Sequence, residues 1–178
     1  MAYGLRLTAY GLRFILLSET FPMPRRFTQL DDVWPAGFGR RLGAMVYDSF
    51  LLLAIWIAIT ALHVLVVRQV IGLPPEEVGD GVWQVLSLRL LLVMAAFGFV
   101  AFFWRRGGMT LGMQAWRLRV QTHDGAPISL RQSLIRFVVG ALSLVPLGLG
   151  HWWVLFDGQR RSWSDIASGT QVVVLPRL

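Results

Sequence analysis

From Leu42 to Val67 the chain runs for 26 residues with Asp48 and His63 as its only acidic, basic or imidazole side chains. A helix of about 20 residues crosses the hydrocarbon core of a bilayer, so this run is read as a transmembrane helix over 42–67. A second apolar stretch, Leu90 to Trp104, has 15 residues. At about 22 Å of helix against about 30 Å of core it must start earlier, near Val85. The second helix is therefore expected over 85–104, with Arg89 near its outer end, where a guanidinium snorkels to the headgroups beside Trp83.

A third block, Phe137 to Phe156, lacks acidic and Arg side chains but carries Pro146, Gly148 and Gly150 in its middle. Proline removes a backbone donor and crowds the preceding turn. Segment 134–156 is therefore read as membrane-embedded, favouring a re-entrant hairpin of two half-helices, Val138 to Val145 and His151 to Phe156, over a full span. The tail 157–178 follows.

Arginine sets the orientation. Arg25, Arg26, Arg40 and Arg41 precede the first helix, while the first loop sets Arg68 against Glu76, Glu77 and Asp80. The positive-inside rule then makes the N-terminus cytoplasmic. Arg105, Arg106, Arg117, Arg119 and Arg131 return to that side, and a hairpin keeps Arg160, Arg161 and Arg177 there too. From Trp116 to Gln121 apolar and polar residues alternate ahead of Asp124-Gly125, the period of a half-buried strand. Thr170 to Leu175 is β-branched and strand-like. The two are expected to pair as a small cytoplasmic β element, which requires both to lie on one side. The fold class is thus an all-α integral membrane protein with two transmembrane helices, a third embedded segment and that β element.

Composition narrows function. Hydrophobic residues make up 55% of the chain and charged ones 15%, too apolar a balance for ordinary solubility. Cysteine is absent, and all 17 basic residues are Arg. These absences remove disulfides, thiolate chemistry, a Walker A lysine and lysine-based catalysis. No His pair has metal-ligand spacing, so no metal, no cofactor and no enzymatic activity are expected. The net charge of +7 reflects Arg beside apolar spans, and nucleic-acid binding is not expected. Residues 1–22, with the near-copies AYGLRLT and AYGLRFI, are read as a dispensable extension to the membrane domain 23–178.

An ionisable group inside a membrane domain needs a reason. Asp48 follows Arg41 by seven residues, two turns on one helix face and about 10.5 Å of rise, too far for secure contact. A third group is therefore expected to neutralise it: Arg136 at the mouth of the third block, with Arg105 behind. The functional reading makes Asp48 a proton or cation site, and the structural reading makes it half of a buried ion pair. His63 is read as interfacial, and His151 as a partner for free backbone carbonyls. Gly39 and Gly43 form a small-xxx-small pair that points to helix contact.

Three ordered stretches, AGFGRRLGAMVYD (36–48), GMTLGMQAWRLRVQTHDG (108–125) and RRSWSDIASGTQVV (160–173), closely resemble the RDD family of small, mostly bacterial membrane proteins. By motif position its arginine and two aspartates fall on Arg41, Asp48 and Asp165, and with Asp165 in the cytoplasm at the depth of Arg41 the expectation is that Arg41 and Arg136 bridge both carboxylates. The motifs add Arg40, Thr110, Gly112, Gly169 and Thr170 as supporting positions beside Arg105 and Arg136. Two departures stand out: Ser164 where members commonly have His, and Met113 where many have Lys. The resemblance implies an inner-membrane, multi-pass protein linked to transport, with some members proposed as sodium/proton antiporters. The leading expectation is an oligomeric transporter of a small ligand, exchanging a proton for a monovalent cation at Asp48. The alternative is a non-transporting assembly or interaction module with a structural Arg/Asp network.

Overall fold

The computed structural model describes Phe27 and residues 33–176. The expected extension 1–22 lies outside the described residues. Helix α1 is Phe38–Gln69 and helix α2 is Val82–Arg106, joined by a loop with a 3-10 turn at Pro75–Glu77. Both exceed the lengths read from hydropathy. Backbone hydrogen bonding carries each helix past its apolar window, taking in Arg40 and Arg41 at one end and Arg105 and Arg106 at the other. Helix α1 runs without a proline until Gly72 and Pro74 intervene, and Gly107-Gly108 ends α2.

These are the two helices, among the described residues, long and apolar enough to cross a membrane. Their most apolar windows are only 6% and 11% buried. Phe50, Ile57, Leu62, Leu90 and Met94 stand exposed around them. A helix apolar on all sides yet unburied by its own chain needs lipid to cover it, which a soluble core helix does not. The two pack along each other, and the contacts are polar as well as apolar. Trp56 Nε1 donates to the Leu92 carbonyl at 3.0 Å, and His63 Nε2 lies 2.9 Å from Ser87 Oγ. His63 thus bridges the two helices, where an interfacial position was expected.

Beyond α2 the chain turns into α3 (Leu111–Ala115), strand β2 (Leu118–Thr122), α4 (Leu130–Leu142), α5 (Leu149–Trp152), α6 (Trp163–Ser168) and strand β3 (Thr170–Val174). Strands β2 and β3 pair antiparallel, Leu118 opposite Val174 and Thr122 opposite Thr170. A two-residue strand, β1 (Trp34–Pro35), adds to the other edge of β3. The pairing returns the chain after the third block to the place where it entered.

The half-helix boundaries differ from expectation. Helix α4 starts at Leu130 because Ser129 and Gln132 form a capping box, and it ends before Pro146, well short of a span. Leu147 and Gly148 adopt positive φ at the reversal. Phe38 stacks on Trp152 at 4.7 Å and Phe97 meets Phe137 at 5.5 Å, fixing α5 against α1 and α4 against α2.

Strand β2 also departs from a half-buried pattern. Leu118 and Val120 enter a core cluster with Ala36, Ala44, Met113, Ile128, Val172 and Val174. The polar positions Arg119 and Gln121 are buried too. Arg119 Nε donates to Gln121 Oε1 at 2.9 Å, and its guanidinium lies 4.3 Å from the Phe27 ring centre. A charged side chain tolerates that face because an aromatic ring covers it.

Candidate functional site

Asp165 is the third residue of α6 and is 1% exposed. Its placement begins locally: Ser162 Oγ accepts from the Asp165 amide, and Asp165 Oδ2 accepts from the Ser162 amide at 2.9 Å, a closed capping box. Two guanidiniums from distant elements then converge on it. Arg41 Nη1 of α1 reaches Oδ2 at 2.6 Å, and Arg136 Nη1 of α4 reaches Oδ1 at 2.6 Å. Arg136 Nη1 also donates to Thr170 Oγ1, which shares a hydrogen bond with Ser168 Oγ at 2.7 Å. Arg41 is further engaged through Nε on the Ala36 carbonyl and Nη2 on the Arg160 carbonyl. Burial alone would push the Asp165 carboxyl up. Arg136, Arg41 and the Ser162 amide prevail and hold it at about 2. The cluster ties α1, α4, α6 and the start of β3 at one point.

Asp48 is in a different environment. No guanidinium of the described residues pairs with it, whereas Asp165 holds two and Asp157 pairs with Arg161. Its partners come from α3 instead. Thr110 Oγ1 donates to Oδ2 at 2.5 Å, and the Gly112 amide donates to Oδ1 at 2.8 Å. The expectation that Arg136, backed by Arg105, neutralises Asp48 is therefore corrected. Arg136 points to Asp165, Arg105 is exposed, and neither Arg105 nor Arg40 joins an ion pair among the described residues. A hydroxyl and an amide at the start of a short helix satisfy the carboxylate in place of a charge.

This contact dictates residue 112. A Cβ there would collide with the Ala44 carbonyl and the Asp48 carboxylate, so only glycine lets α3 approach α1. Gly169, at φ +62°, ends α6 in the left-handed conformation just before Thr170. Thr110 serves twice, since its oxygen also accepts the Met113 amide at 3.2 Å and caps α3. The two departures from the family pattern are filled locally. Ser164 is buried with Oγ 2.9 Å from Ser162 Oγ, and Met113 is part of the apolar cluster.

Arg41, Asp48 and Arg136 all line one cavity of about 370 Å³. Its wall is mostly apolar, from Leu52, Val100, Phe137 and Leu144, with Trp104 and His151 among the lining residues. His151 was expected to serve backbone carbonyls, but its Nδ1 is buried with no hydrogen-bond partner among the described residues. Gly43 is also used within the chain: a Cβ there would strike the Trp116 ring, which leaves Gly39 as the open member of the pair.

Sequence reasoning missed Ser162, which positions Asp165, and the Trp104–Arg136 contact, a guanidinium 5.3 Å from the indole. The signal for the first was available: Ser-x-x-Asp at 162–165 is a capping-box pattern. The second spans two helices and has no local sequence mark.

The family model of the RDD family matches residues 35–169. No curated protein and no solved structure matches the chain.

Proposed function

Because the chain belongs to the RDD family, we propose that this membrane protein moves a small ligand across the bacterial inner membrane, with Asp48 as the group that takes up and releases a proton. One observation carries the reading: Asp48 faces the cavity without a cationic partner, whereas Asp165 faces two. The two roles weighed for Asp48 divide between the two aspartates. Asp165 is the fixed anion of a structural cluster, and Asp48 is the carboxylate free to change charge. A carboxylate inside a membrane domain with no compensating cation is a functional candidate by default.

The partners of Asp48 favour a proton over a coordinated metal cation. Its oxygens meet an O–H and an N–H, and a cation site would need further oxygen ligands. Cation/proton exchange therefore enters with Asp48 on the proton side. Two spanning helices enclose no pore, so the transporting unit is a homo-oligomer. The positive-inside rule puts the N-terminus, the β element and the tail in the cytoplasm, with the third block re-entering from that side. No catalytic step is assigned.

The Arg41–Asp165–Arg136 cluster favours a second reading, a non-transporting assembly module locked at its cytoplasmic face. Proteoliposomes carrying the full chain separate the two. Proton-coupled flux above empty vesicles that is lost in Asp48→Asn supports transport. Absence of flux in the folded wild-type protein replaces it with the assembly reading.

A further inference from the structure

A second cavity, of about 300 Å³, has Arg41 in its wall but not Asp48. Arg41, His123, Gln159, Arg160, Arg161 and Gln171 line it, and no carboxylate of the described residues does. These side chains come from α1, the turn after β2, the loop after α5 and β3, so four separate segments converge there. His123, Gln159 and Arg160 are exposed, within reach of anything that enters.

The loop that carries Arg160 is fixed around Asp157. Asp157 Oδ2 accepts from the Gln159 amide at 3.2 Å and the Arg161 amide at 2.9 Å. The Arg161 guanidinium closes a two-point pair with the same carboxylate, both contacts at 3.0 Å. The loop's own anion is thus consumed by Arg161. Arg160 stands at φ +55°, a left-handed conformation that a side chain keeps only where its surroundings enforce it, and its carbonyl accepts from Arg41 Nη2 at 2.9 Å. Its guanidinium joins no ion pair among the described residues. Around the cavity Arg41, Arg136, Arg160 and Arg161 face Asp157 and Asp165. The balance is positive, and adding Asp124, next to His123 in the turn, leaves it positive.

We propose that this cavity binds a phosphoryl group, held by the Arg160 guanidinium with Arg41 and the Gln159 and Gln171 side-chain amides around it. A guanidinium fork matches two phosphate oxygens, and a phosphoryl group keeps further oxygens for donors arriving from other segments, which a carboxylate lacks. The volume lies at the lower end of the roughly 300–1,000 Å³ range of ligand sites, room for a headgroup and not for an acyl chain. Leu155 and Phe156, just before the loop, are exposed apolar residues of the third block, which sets the cavity at the membrane surface, the level of phosphate headgroups. The group belongs to an anionic lipid or to a soluble phosphate compound, which offer the same oxygens. Binding here involves neither Asp48 nor flux, so its failure leaves the transport reading standing and the reverse holds too.

The test uses the full chain purified in a neutral detergent with two probes: phosphatidylglycerol, counted on the protein by native mass spectrometry, and radiolabelled inorganic phosphate in equilibrium dialysis. Saturable binding of one probe molecule per chain is expected. Arg160→Gln should weaken it about tenfold, the loss of a charge-assisted contact, with unchanged thermal unfolding because Arg160 is exposed and outside the ion pairs. Gln171→Leu leaves every charge in place and should weaken it several-fold. Arg131→Gln removes an exposed charge outside the cavity and should leave binding unchanged. Binding of phosphatidylglycerol alone assigns the site to a lipid headgroup, and binding of inorganic phosphate, with or without the lipid, assigns it to a soluble phosphate. No saturable binding of either probe, equal weakening by Arg131→Gln and Arg160→Gln, or undiminished affinity in both Arg160→Gln and Gln171→Leu would overturn the proposal.

Discussion

Thr110 donates its hydroxyl proton to Asp48 and accepts the Met113 amide on the same oxygen, so one side chain both caps α3 and fastens it to α1. The carboxylate at the centre of this contact is held by hydrogen bonds, and the second family aspartate, Asp165, is held by charge. The predictions follow from that division.

Asp165→Asn should be the most damaging single change in the charged cluster. It leaves Arg41 and Arg136 buried without an anion, a loss of roughly 3–5 kcal/mol. Thermal unfolding in detergent measures it. Arg136→Gln combined with Asp165→Asn should recover part of the loss, because one cation then remains instead of two. Equal or lower stability in the double variant would show that the cluster is held by packing rather than charge.

Acid should dissolve the same cluster. The folded Asp165 carboxyl sits at about 2, below the ordinary carboxylate value of 3.8. A depressed carboxyl contributes stability above its unfolded pKa and loses it as pH falls through the folded one, so the contribution of about 2 kcal/mol is complete above pH ~4 and gone below pH ~2. Melting temperature followed across that window should fall in the wild type. Asp165→Asn should lack this segment of the decline.

Gly112→Ala should prevent α3 from seating on α1, since the new methyl meets the Ala44 carbonyl and the Asp48 carboxylate. Overpacking of this kind costs roughly 1–3 kcal/mol. Thr110→Val removes a cap and a donor to Asp48 and should cost a similar amount. Unchanged melting in both would mean that α3 is not held through Asp48.

Topology can be read directly because the chain contains no native cysteine. Gln159→Cys and Glu76→Cys, both at exposed positions, should react with an impermeant maleimide from opposite faces of the membrane, Gln159 from the cytoplasm. Labelling of both from one face would remove the proposed orientation and the re-entrant third block with it.

The residues and elements differ in how far sequence exposes them. Helices α1 and α2 were legible because length and apolarity alone decide whether a segment can cross a bilayer. Strands β2 and β3 showed in their period and β-branching, but the burial of Arg119 did not, because it depends on Phe27 from a distant segment. Strand β1 has two residues, one of them proline, and leaves no pattern. Arg41, Arg136 and Asp165 were identifiable as one network in which the two arginines bridge both aspartates, and the structure pairs them with Asp165 and not with Asp48. Spacing along α1 relates Arg41 to Asp48 but says nothing of what α3 and α6 bring across. Helix α3 is five residues long, too short for periodicity to register, and it and its N-cap Thr110 supply the partners of Asp48.

The central claim is that Asp48, and not Asp165, changes protonation when the protein works. Infrared difference spectroscopy on proteoliposomes under an imposed proton gradient tests it most directly. The account predicts a carboxyl band that switches with the gradient, is abolished by Asp48→Asn, and persists when Asp165 and Arg136 are replaced together in folded protein. No switching band in folded wild-type protein, or a band that survives Asp48→Asn, would contradict it.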